Sequence, residues 1–389
     1  MTTHTASSAS SRPLAGLRVI EFAQMVAAPS AALLLADYGA DVIKVEPIEG
    51  DNARQLRSAV AAGLPVSPVF LGYNRGKRLI RLDLRKPDDL ARARDLVAGA
   101  DVLIESSRPG AMTRLGLGPD AMHALNARLI YASISGFGWT PSTIGKRGVD
   151  LIIQAESGIM SLTGPPSTPM KVGFTMVDAA SGHALCHGIL AALYQRERTG
   201  RGEVVQVSLY DVALHLQTGP LVEYMMTGQQ APRSGNSAPL SAPADLLQCG
   251  AGAIVISAYL EAHWRRFIAL IDGEHLAQDP RFSTVAARIE QRAALIVALE
   301  ALLISRPAAE WEQLLGDAGL LVGQVKDHAA VACSPYSTES RILETSGGVH
   351  GVHNPAQLGS APRAGFVPPV ECNAAEICWQ VVDPGPQDA

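Results

Sequence analysis

Five short apolar runs of the kind that form buried strands recur through the first third of the chain, and helical patterns separate several of them. The runs are LRVIEFA, ADVIKVE, RLIRLDL, ADVLIES and RLIYASI. Strands that alternate with helices predict a mostly parallel sheet covered by helices on both faces. We therefore predict an α/β fold, with a large Rossmann-like domain in the N-terminal part of the chain.

The first turn of that domain lacks the glycines of a dinucleotide-binding site. The segment after the first run is QMVAAPSAA, with no G-x-G-x-x-G pattern. Without those glycines the backbone cannot approach a pyrophosphate in the dinucleotide manner. The fold alone does not give the function, and a nicotinamide-dependent dehydrogenase is disfavoured.

Composition excludes several other classes. The formal net charge is −5 and the basic residues are scattered, which argues against a nucleic-acid partner. The five cysteines form no C-x-x-C pair, so a structural zinc site or a redox dithiol is not expected. The first dozen residues lack the apolar core of a signal peptide, and no apolar run approaches the roughly 20 residues of a membrane span. We predict a cytoplasmic protein without a membrane partner.

The pattern changes along the chain predict two domains. A segment rich in proline, glycine and serine breaks the helical pattern after the large domain, and strand and helix patterns of an α+β domain follow it. The predicted boundaries are a disordered tail at 1–12, the large domain at 13–226, a linker at 227–246, a smaller α+β domain at 247–328, and a return linker with a C-terminal segment that packs on the large domain at 329–389.

Asp178 is the single carboxylate of the segment VGFTMVDAASGHALCHG (172–188), where an apolar run meets the small residues that open a helical pattern. This position suits a helix cap, since a carboxylate there accepts backbone N–H groups of the first turn. It equally suits a nucleophile, because the same N–H groups and the small neighbours favour a reacting group beside it. Position alone leaves both interpretations open.

Other candidate residues also have two interpretations. Basic residues in YNRGKRL and SSRPGAMTRLGLG are either solvated loop charges or phosphate ligands at the carboxyl ends of the strands. The glycines of SISGFGW mark either a plain turn or close passage of the backbone beside a ligand. His183 and His187 lie four residues apart but lack the glutamate of a zinc-protease motif, so we interpret them as packed or surface histidines and predict no metal site.

An ordered series of segments from about residue 13 to 335 resembles the class III coenzyme A transferases, the family of formyl-CoA transferase, carnitine CoA-transferase and α-methylacyl-CoA racemase. The matching segments include PLAGLRVIEFAQMVAAPSAALLLADYGADVIKVEPIEGD, NRGKR, DVLIESSRPGAMTRLGLG, YASISGFG, GVDLIIQAESGIMSLTG, VDAASGHALCHGILAALYQRERTGRGEVVQVSLYD and DPRFSTVAARIEQR. The resemblance implies that two chains interlock as a homodimer. It also implies that acyl-CoA is a substrate, that a small mono- or dicarboxylic acid is its partner, and that no cofactor is bound permanently.

Asp178 matches the catalytic aspartate of that family. Its implied role is to attack an acyl-CoA thioester, giving first an aspartyl anhydride and then an aspartyl-CoA thioester. The resemblance also implies a set of CoA-binding residues: Val26, Ala27, Tyr73, Asn74, Arg75, Lys77, Ser106, Ser107, Arg108, Arg114 and Arg147. The implied substrate contacts are Gln24, Val149 and Tyr259.

Departures from the family pattern decide between activities. Val149 stands where the racemases carry a histidine that moves a proton, and valine cannot do so. We therefore expect CoA transfer, with a racemase or a non-catalytic CoA-binding protein as alternatives. Ser106 and Ser107 replace a usual Asn–Phe pair, and the segment at 256–264 lacks the glycines of the family's active-site loop, so Tyr259 is a candidate to shield the intermediate.

Overall fold

The computed structural model describes residues 12–359, 363 and 365–380. The chain divides into two compact units. Among the described residues the larger unit comprises 12–159, 172–228 and the positions from 336 onward, and the smaller unit comprises 160–171 and 229–335. The predicted tail at 1–12 lies outside the described residues except for Arg12.

The strands of the described residues follow the predicted apolar runs. They are β1 (Arg18–Phe22), β2 (Asp41–Glu46), β3 (Arg78–Arg81), β4 (Val102–Glu105), β5 (Ile130–Ser135), β6 (Val204–Ser208), β7 (Ala244–Gln248), β8 (Ala253–Ser257), β9 (Leu321–Gln324), β10 (Leu343–Ser346), β11 (Val349–Val352) and β12 (Val370–Glu371).

Helices connect most of these strands. They are α1 (Ala27–Asp37), α2 (Pro68–Asn74), α3 (Pro87–Ala98), α4 (Ala111–Arg114), α5 (Pro119–Leu125), α6 (Asp150–Glu156), α7 (Ile159–Leu162), α8 (Met176–Thr199), α9 (Leu209–Leu216), α10 (Thr218–Thr227), α11 (Glu261–Leu270), α12 (Glu274–Gln278), α13 (Val285–Glu290), α14 (Arg292–Leu303), α15 (Ala308–Asp317), α16 (His328–Ala332) and α17 (Pro335–Ser340).

The larger unit contains a seven-stranded sheet with the order β12-β3-β2-β1-β4-β5-β6. Every neighbouring pair in it is parallel, which confirms the predicted α/β fold. Apolar clusters cover both faces, one around α1 and α8 and the other around α3 and α5. The strand order reverses between β1 and β4, where doubly wound sheets bind their ligands outside the carboxyl ends of the strands.

The smaller unit contains the antiparallel sheet β7-β8-β9 with helices α11 to α15 around its own apolar core. Trp264 and Trp311 lie in that core and are almost fully buried. Strand β7 begins at Ala244, within the segment 227–246 that the sequence pattern predicts as a linker. Each unit therefore has a hydrophobic core of its own, as independent domains do.

Helix α8 differs from the expectation that no apolar run approaches the length of a membrane span. By length and composition alone it could cross a membrane, since it has 24 residues and an apolar window with a mean hydropathy of 1.2. The expectation that no apolar run approaches such a length is therefore wrong for this helix. Its buried residues, among them Val177, Leu185 and Ile189, belong to the core of the larger unit, as in the core helix of a soluble protein. The cytoplasmic location stays a prediction.

Gly182 lets α8 pack closely on α1. A Cβ atom at this position would lie 1.7 Å from Ser30 Oγ and 2.7 Å from the carbonyl oxygen of Ala27. The hydroxyl of Ser30 is itself fixed by a 2.7 Å hydrogen bond to that carbonyl oxygen. The two helices therefore meet backbone to backbone one turn after Asp178, so their packing sets the position of the Asp178 backbone.

We expect Gly182→Ala to lower the free energy of unfolding by about 1–3 kcal/mol, because the added methyl group forces α8 away from α1. Gly316→Ala is the matched control, since Gly316 is also helical and the nearest described atom to its Cβ would lie 3.9 Å away, an ordinary contact. That control should be neutral or slightly stabilising, as alanine is the better helix former. Urea unfolding monitored by circular dichroism measures both variants, and equal stability of the two would contradict the role of Gly182.

Candidate active site

The loop that follows β1 meets the loop that follows β4 at the point where the strand order reverses. The backbone N–H of Gln24 donates a 3.4 Å hydrogen bond to Ser106 Oγ, and the Gln24 side-chain oxygen accepts one of 3.2 Å from the N–H of Asn52. A cavity of about 350 Å³ lies here, lined by residues at the ends of β1 to β4, among them Phe22, Glu46 and Ser107. The cavity lies where a ligand crevice is expected in this topology.

Met25 gives this loop a strained backbone. Its φ is +72°, in the left-handed region that residues other than glycine rarely adopt. The N–H of Met25 donates a 3.1 Å hydrogen bond to the carboxylate of Asp51, which fixes the turn. Val26 and Ala27 follow at the start of α1, where no side chain caps the helix. Strain of this kind persists only where surrounding groups hold it.

A buried ion network provides that support. Lys44 lies 2.8 Å from Glu21 and 2.9 Å from Asp51, and Lys77 lies 2.7 Å from the second oxygen of Glu21. All four side chains are completely buried. Each ammonium group also donates to a backbone carbonyl, Lys44 to that of Ala23 in the loop and Lys77 to that of Pro29 in the first turn of α1. The network therefore holds the chain on both sides of Met25.

Asp178 lies in the first turn of α8, and a different residue caps that helix. One carboxylate oxygen of Asp150 accepts the backbone N–H groups of Val177 at 2.8 Å and Asp178 at 3.1 Å. Its other oxygen accepts a 2.5 Å hydrogen bond from Gln154, whose own oxygen accepts the N–H of Val172. Among the described residues the Asp178 carboxylate has no hydrogen-bond or ion-pair partner. Asp178 is thus available for chemistry, because Asp150 does the capping.

Two glycines place Asp150. A Cβ on Gly136 would lie 2.8 Å from the Cα of Gly148, and a Cβ on Gly148 would lie 2.8 Å from the ring of Phe137. The glycine-rich segment after β5 thus passes close to the backbone that leads into α6. The glycines of this segment therefore serve a close approach of backbone to backbone, between Gly136 and Gly148.

The surroundings of Asp178 disfavour its charge. Burial and the nearby carboxylate of Asp150 raise the pKa of Asp178 to about 7, although a place in the first turn of a helix favours a negative charge. Tyr73 lies close enough for the charge of Asp178 to act on it and is hydrogen-bonded to Thr175. Burial and that charge raise the pKa of the Tyr73 phenol, so Tyr73 stays a neutral donor. Perturbed groups of this kind in a cleft mark candidate catalytic sites.

The other predicted CoA-binding residues from 74 to 77 point in different directions. Asn74 and Lys77 are completely buried, and Asn74 accepts a 3.1 Å hydrogen bond from Lys77. Arg75 donates to Asp37 and to the carbonyl of Val352, near the amino ends of β2 and β3. The structure therefore brings Tyr73 together with Asp178, and it places Arg75 at the opposite edge of the sheet.

The predicted residues after β4 lie at the carboxyl edge. Ser106 and Ser107 are half-buried there, and the N–H of Ser107 donates a 2.6 Å hydrogen bond to Glu105. Burial raises the pKa of Glu105 to about 7. Arg108 and Arg114 are exposed, as is Arg147, which precedes α6. Their predicted contacts with CoA phosphates stay predictions.

The remaining candidates lie apart from hydrogen-bonded clusters. Val149 is 64 % exposed and precedes Asp150 directly. Tyr259 belongs to the smaller unit, where its ring meets that of His263 edge-on at 5.1 Å. His183 and His187 lie on the exposed side of α8. Within residues 12–359 and the described positions beyond, no group of three or more His, Cys, Asp or Glu side chains is placed to hold a metal ion.

The family model for CoA-transferase family III matches residues 14–369, most of the chain. The chain belongs to CoA-transferase family III. This confirms the resemblance found in the sequence and makes the protein a CoA-transferase. The catalytic and binding roles of individual residues stay predictions.

Relatives across the family are similar over nearly the whole chain. An acetyl-CoA:oxalate CoA-transferase of Acetobacter aceti is 38 % identical over 89 % of this chain and 89 % of its own length. A probable fatty acyl-CoA transferase of Mycobacterium tuberculosis is 36 % identical over 90 % of this chain and 92 % of its own. The crystal structure of a CaiB/BaiF family protein from Brucella suis superposes with a TM-score of 0.86 at 33 % identity, covering 92 % of this chain and 96 % of that one.

Proposed function

We propose that this family III enzyme moves CoA from an acyl-CoA donor to a small carboxylic acid through covalent intermediates on Asp178. The observation that carries the proposal is the Asp178 carboxylate. It is unpartnered among the described side chains and lies at the N-terminus of a helix that Asp150 caps in its place. A carboxylate used only for capping would occupy the N–H groups itself.

The proposed reaction has four steps, and in each of them a carboxylate or the CoA thiolate displaces another group from an acyl carbon. An Asp178 oxygen attacks the thioester carbonyl, the C–S bond breaks, and CoA leaves as thiolate while the acyl group stays on Asp178 as an aspartyl anhydride. The thiolate then attacks the aspartyl carbonyl, which releases the donor acid and leaves an aspartyl-CoA thioester. The acceptor carboxylate displaces the thiolate to form a second anhydride, and the thiolate finally attacks the acceptor carbonyl, which frees Asp178. The thioester energy is conserved, provided that water is excluded.

The cavity at the carboxyl edge is the proposed place for part of the CoA molecule. Its volume of about 350 Å³ falls within the range of small-molecule sites. Gln24, Val26 and Ala27 reach this edge from the β1 loop, and Ser106 and Ser107 reach it from the β4 loop. Arg108, Arg114 and Arg147 are proposed to pair with phosphates, because exposed guanidinium groups suit bidentate contacts with them.

Val149 argues against the racemase alternative. This residue precedes Asp150 directly and carries no group that can move a proton. A racemase would bring solvent deuterium into the α-carbon of a 2-methylacyl-CoA, and we expect no incorporation. The non-catalytic alternative predicts CoA binding without turnover of any acid.

The acceptor is proposed to be a small mono- or dicarboxylic acid. Relatives named for oxalate and D-citramalate acceptors motivate the dicarboxylates. The test is a panel of acyl-CoA donors against mono- and dicarboxylic acids, with the new thioester identified by mass spectrometry. Formation of a new acyl-CoA without hydrolysis supports the proposal, and the absence of transfer over the whole panel contradicts it.

We also propose that two copies of the chain interlock as a homodimer. Helix α10 contains no buried residue, and Met225 and Met226 on it are 80 % and 81 % exposed. Exposed apolar surface of this kind marks an interaction site. Light scattering after gel filtration should give twice the mass of the chain.

The pH dependence of transfer follows from the state of Asp178. Only the ionised carboxylate attacks, and its pKa is raised to about 7, so we expect the rate of CoA release to rise with pH through about 7. Stability changes in the opposite sense. The unfolded carboxyl ionises near pH 4, so the folded state binds the extra proton between about pH 4 and pH 7 and loses stability as pH rises through that window.

Asp178→Asn removes this pH-dependent cost. Above about pH 7 we expect the variant to unfold at a higher temperature than the wild type, and the difference should shrink towards pH 5. Calorimetry of both proteins measures it. A difference that does not change between about pH 5 and pH 8 would contradict the raised pKa of Asp178.

A further inference from the structure

A second cavity, of about 360 Å³, lies in the larger unit at the opposite edge of the sheet. Asp41 and Arg78 line it, and these residues begin β2 and β3. The turn after α1 and a C-terminal segment that includes His353, Asn354 and Phe366 complete its wall. The cavity is therefore separated by the length of the strands from the loops that carry Gln24 and Ser106.

Arg75 is the most buried cation of this wall. Its side chain is 3 % exposed and its guanidinium carbon lies 4.4 Å from the centre of the Phe366 ring, which fixes the plane of the group. Only Nη2 has partners among the described residues, the carboxylate of Asp37 at 2.9 Å and the carbonyl of Val352 at 2.8 Å. Nε and Nη1 are buried and have no partner in the described part of the chain.

Two neighbouring residues also have buried donor atoms without a partner among the described residues. Asn354 and Arg363 both line the cavity, and the amide nitrogen of Asn354 and the Nε of Arg363 are buried and unpartnered among the described residues. All these unpartnered atoms are donors, and none is an acceptor. Buried donors without partners are rare in native structures and each costs about 1–3 kcal/mol, so their occurrence around one cavity points to an acceptor that binds there.

The charges of the wall also favour an anion. Four arginines, Arg12, Arg75, Arg78 and Arg363, face two aspartates, Asp37 and Asp41. Both carboxylate oxygens of Asp41 accept a hydrogen bond from Arg78, at 2.9 and 2.5 Å, so the charge of Asp41 is already paired.

Asp37 and His353 do not cancel the excess of positive charge that the four arginines give this wall. Burial raises the pKa of Asp37 to about 6 in spite of the arginines, and burial lowers the pKa of His353, so that this imidazole is neutral near pH 7. Among the described residues that line the cavity, an excess of positive charge remains without a counter-ion.

We propose that this cavity binds a small oxyanion, a carboxylate or a phosphate, whose oxygens accept from Arg75 and Asn354. Planar guanidinium and amide donors suit the oxygens of either group. The site is separate from the CoA and acceptor sites of the transfer reaction. Because Arg75 lies between Tyr73, beside Asp178, and Lys77, in the buried ion network, the bound anion stabilises the turn that both residues share.

The test measures the thermal unfolding of the full chain with inorganic phosphate or with succinate, against sodium chloride at the same ionic strength. We expect a saturable rise in Tm of roughly 5 °C at about 100 times Kd beyond the effect of chloride. Asn354→Asp should abolish the rise, because the new carboxylate occupies the donors itself, and the same change should raise the Tm of the protein without anion. The anion that gives the larger rise identifies the ligand class.

Two further variants distinguish anion binding in this cavity from binding at the acceptor site and from a general effect of added negative charge. Asp178→Ala should keep the anion response, which distinguishes the cavity from the acceptor site. Gln291→Glu, an exposed position in the smaller unit, adds the same charge elsewhere and should also keep it. A wild type without a saturable response to either anion would overturn the proposal, as would an Asn354→Asp variant that responds like the wild type.

Discussion

Replacing Asp178 by alanine or asparagine is expected to lower the rate of CoA transfer by about 10,000-fold or more, the size of effect seen when a covalent nucleophile is removed. Both variants should fold, because Asp150 caps α8 and keeps its contacts with the N–H groups of residues 177 and 178. The asparagine variant needs a fresh preparation, since deamidation restores aspartate. The loss should affect the release of CoA thiolate from the donor, which is the first chemical step.

Trapping with hydroxylamine locates the intermediate. With an acyl-CoA donor present, hydroxylamine should convert Asp178 to a hydroxamate that mass spectrometry finds in the peptide from α8. Asp120→Asn is the matched control, because Asp120 is an exposed carboxylate in the first turn of α5. Its activity and trapping should equal those of the wild type. Undiminished CoA exchange in Asp178→Ala would show that the carboxylate is not the nucleophile.

The parallel sheet could be predicted from the sequence because its strands are buried on both faces. Such strands appear as continuous apolar runs, and the helices between them force parallel connections. The runs LRVIEFA and ADVLIES became β1 and β4, the strands between which the order reverses. The place of the ligand crevice follows from that topology alone.

The directions of side chains within a turn could not be predicted in the same way. Tyr73, Asn74, Arg75 and Lys77 lie within five residues of the sequence, and the resemblance to a family segment implies one CoA-binding role for all of them. Between the end of α2 and the start of β3 the backbone turns through Gly76, at φ +74°, so successive side chains face different regions. Tyr73 faces Asp178, Lys77 faces the buried network, and Arg75 faces the opposite edge of the sheet.

Residues that act through Asp178 and its neighbouring loop were not among the candidates predicted from the sequence. Asp150 precedes Asp178 by 28 positions and caps α8 from α6, a contact that local patterns do not reveal. Glu21 and Lys44 carried a usable signal, since each is the single charge within an apolar stretch, VIEFA (19–23) and VIKV (42–45). A charge inside a fully buried strand requires a partner, so these two residues in neighbouring strands could have been paired.

Loss of the ion pairs that Glu21 forms with the buried lysines is expected to have the largest effect on the free energy of unfolding. We expect Glu21→Gln to lower the free energy of unfolding by about 3–5 kcal/mol, because it leaves two buried ammonium groups, Lys44 and Lys77, without their shared carboxylate. The same lysines hold the carbonyls of Ala23 and Pro29 on either side of the strained Met25. The substitution should therefore also raise KM for the acyl-CoA, since the loop with Gln24 and Val26 loses its support.

Two comparison variants test whether unpaired buried charge is what destabilises Glu21→Gln. Glu197→Gln removes a carboxylate that is 69 % exposed and paired with Arg128, and it should cost less than about 1 kcal/mol. Lys44 keeps its contact with Asp51, whereas Lys77 loses its only carboxylate partner among the described residues. Lys77→Met in the Glu21→Gln background removes that unpaired ammonium group, so the double variant should be more stable than Glu21→Gln alone. Urea unfolding monitored by circular dichroism measures all four proteins. If the double variant were less stable than Glu21→Gln, the loss would come from packing around position 21 and not from unpaired charge.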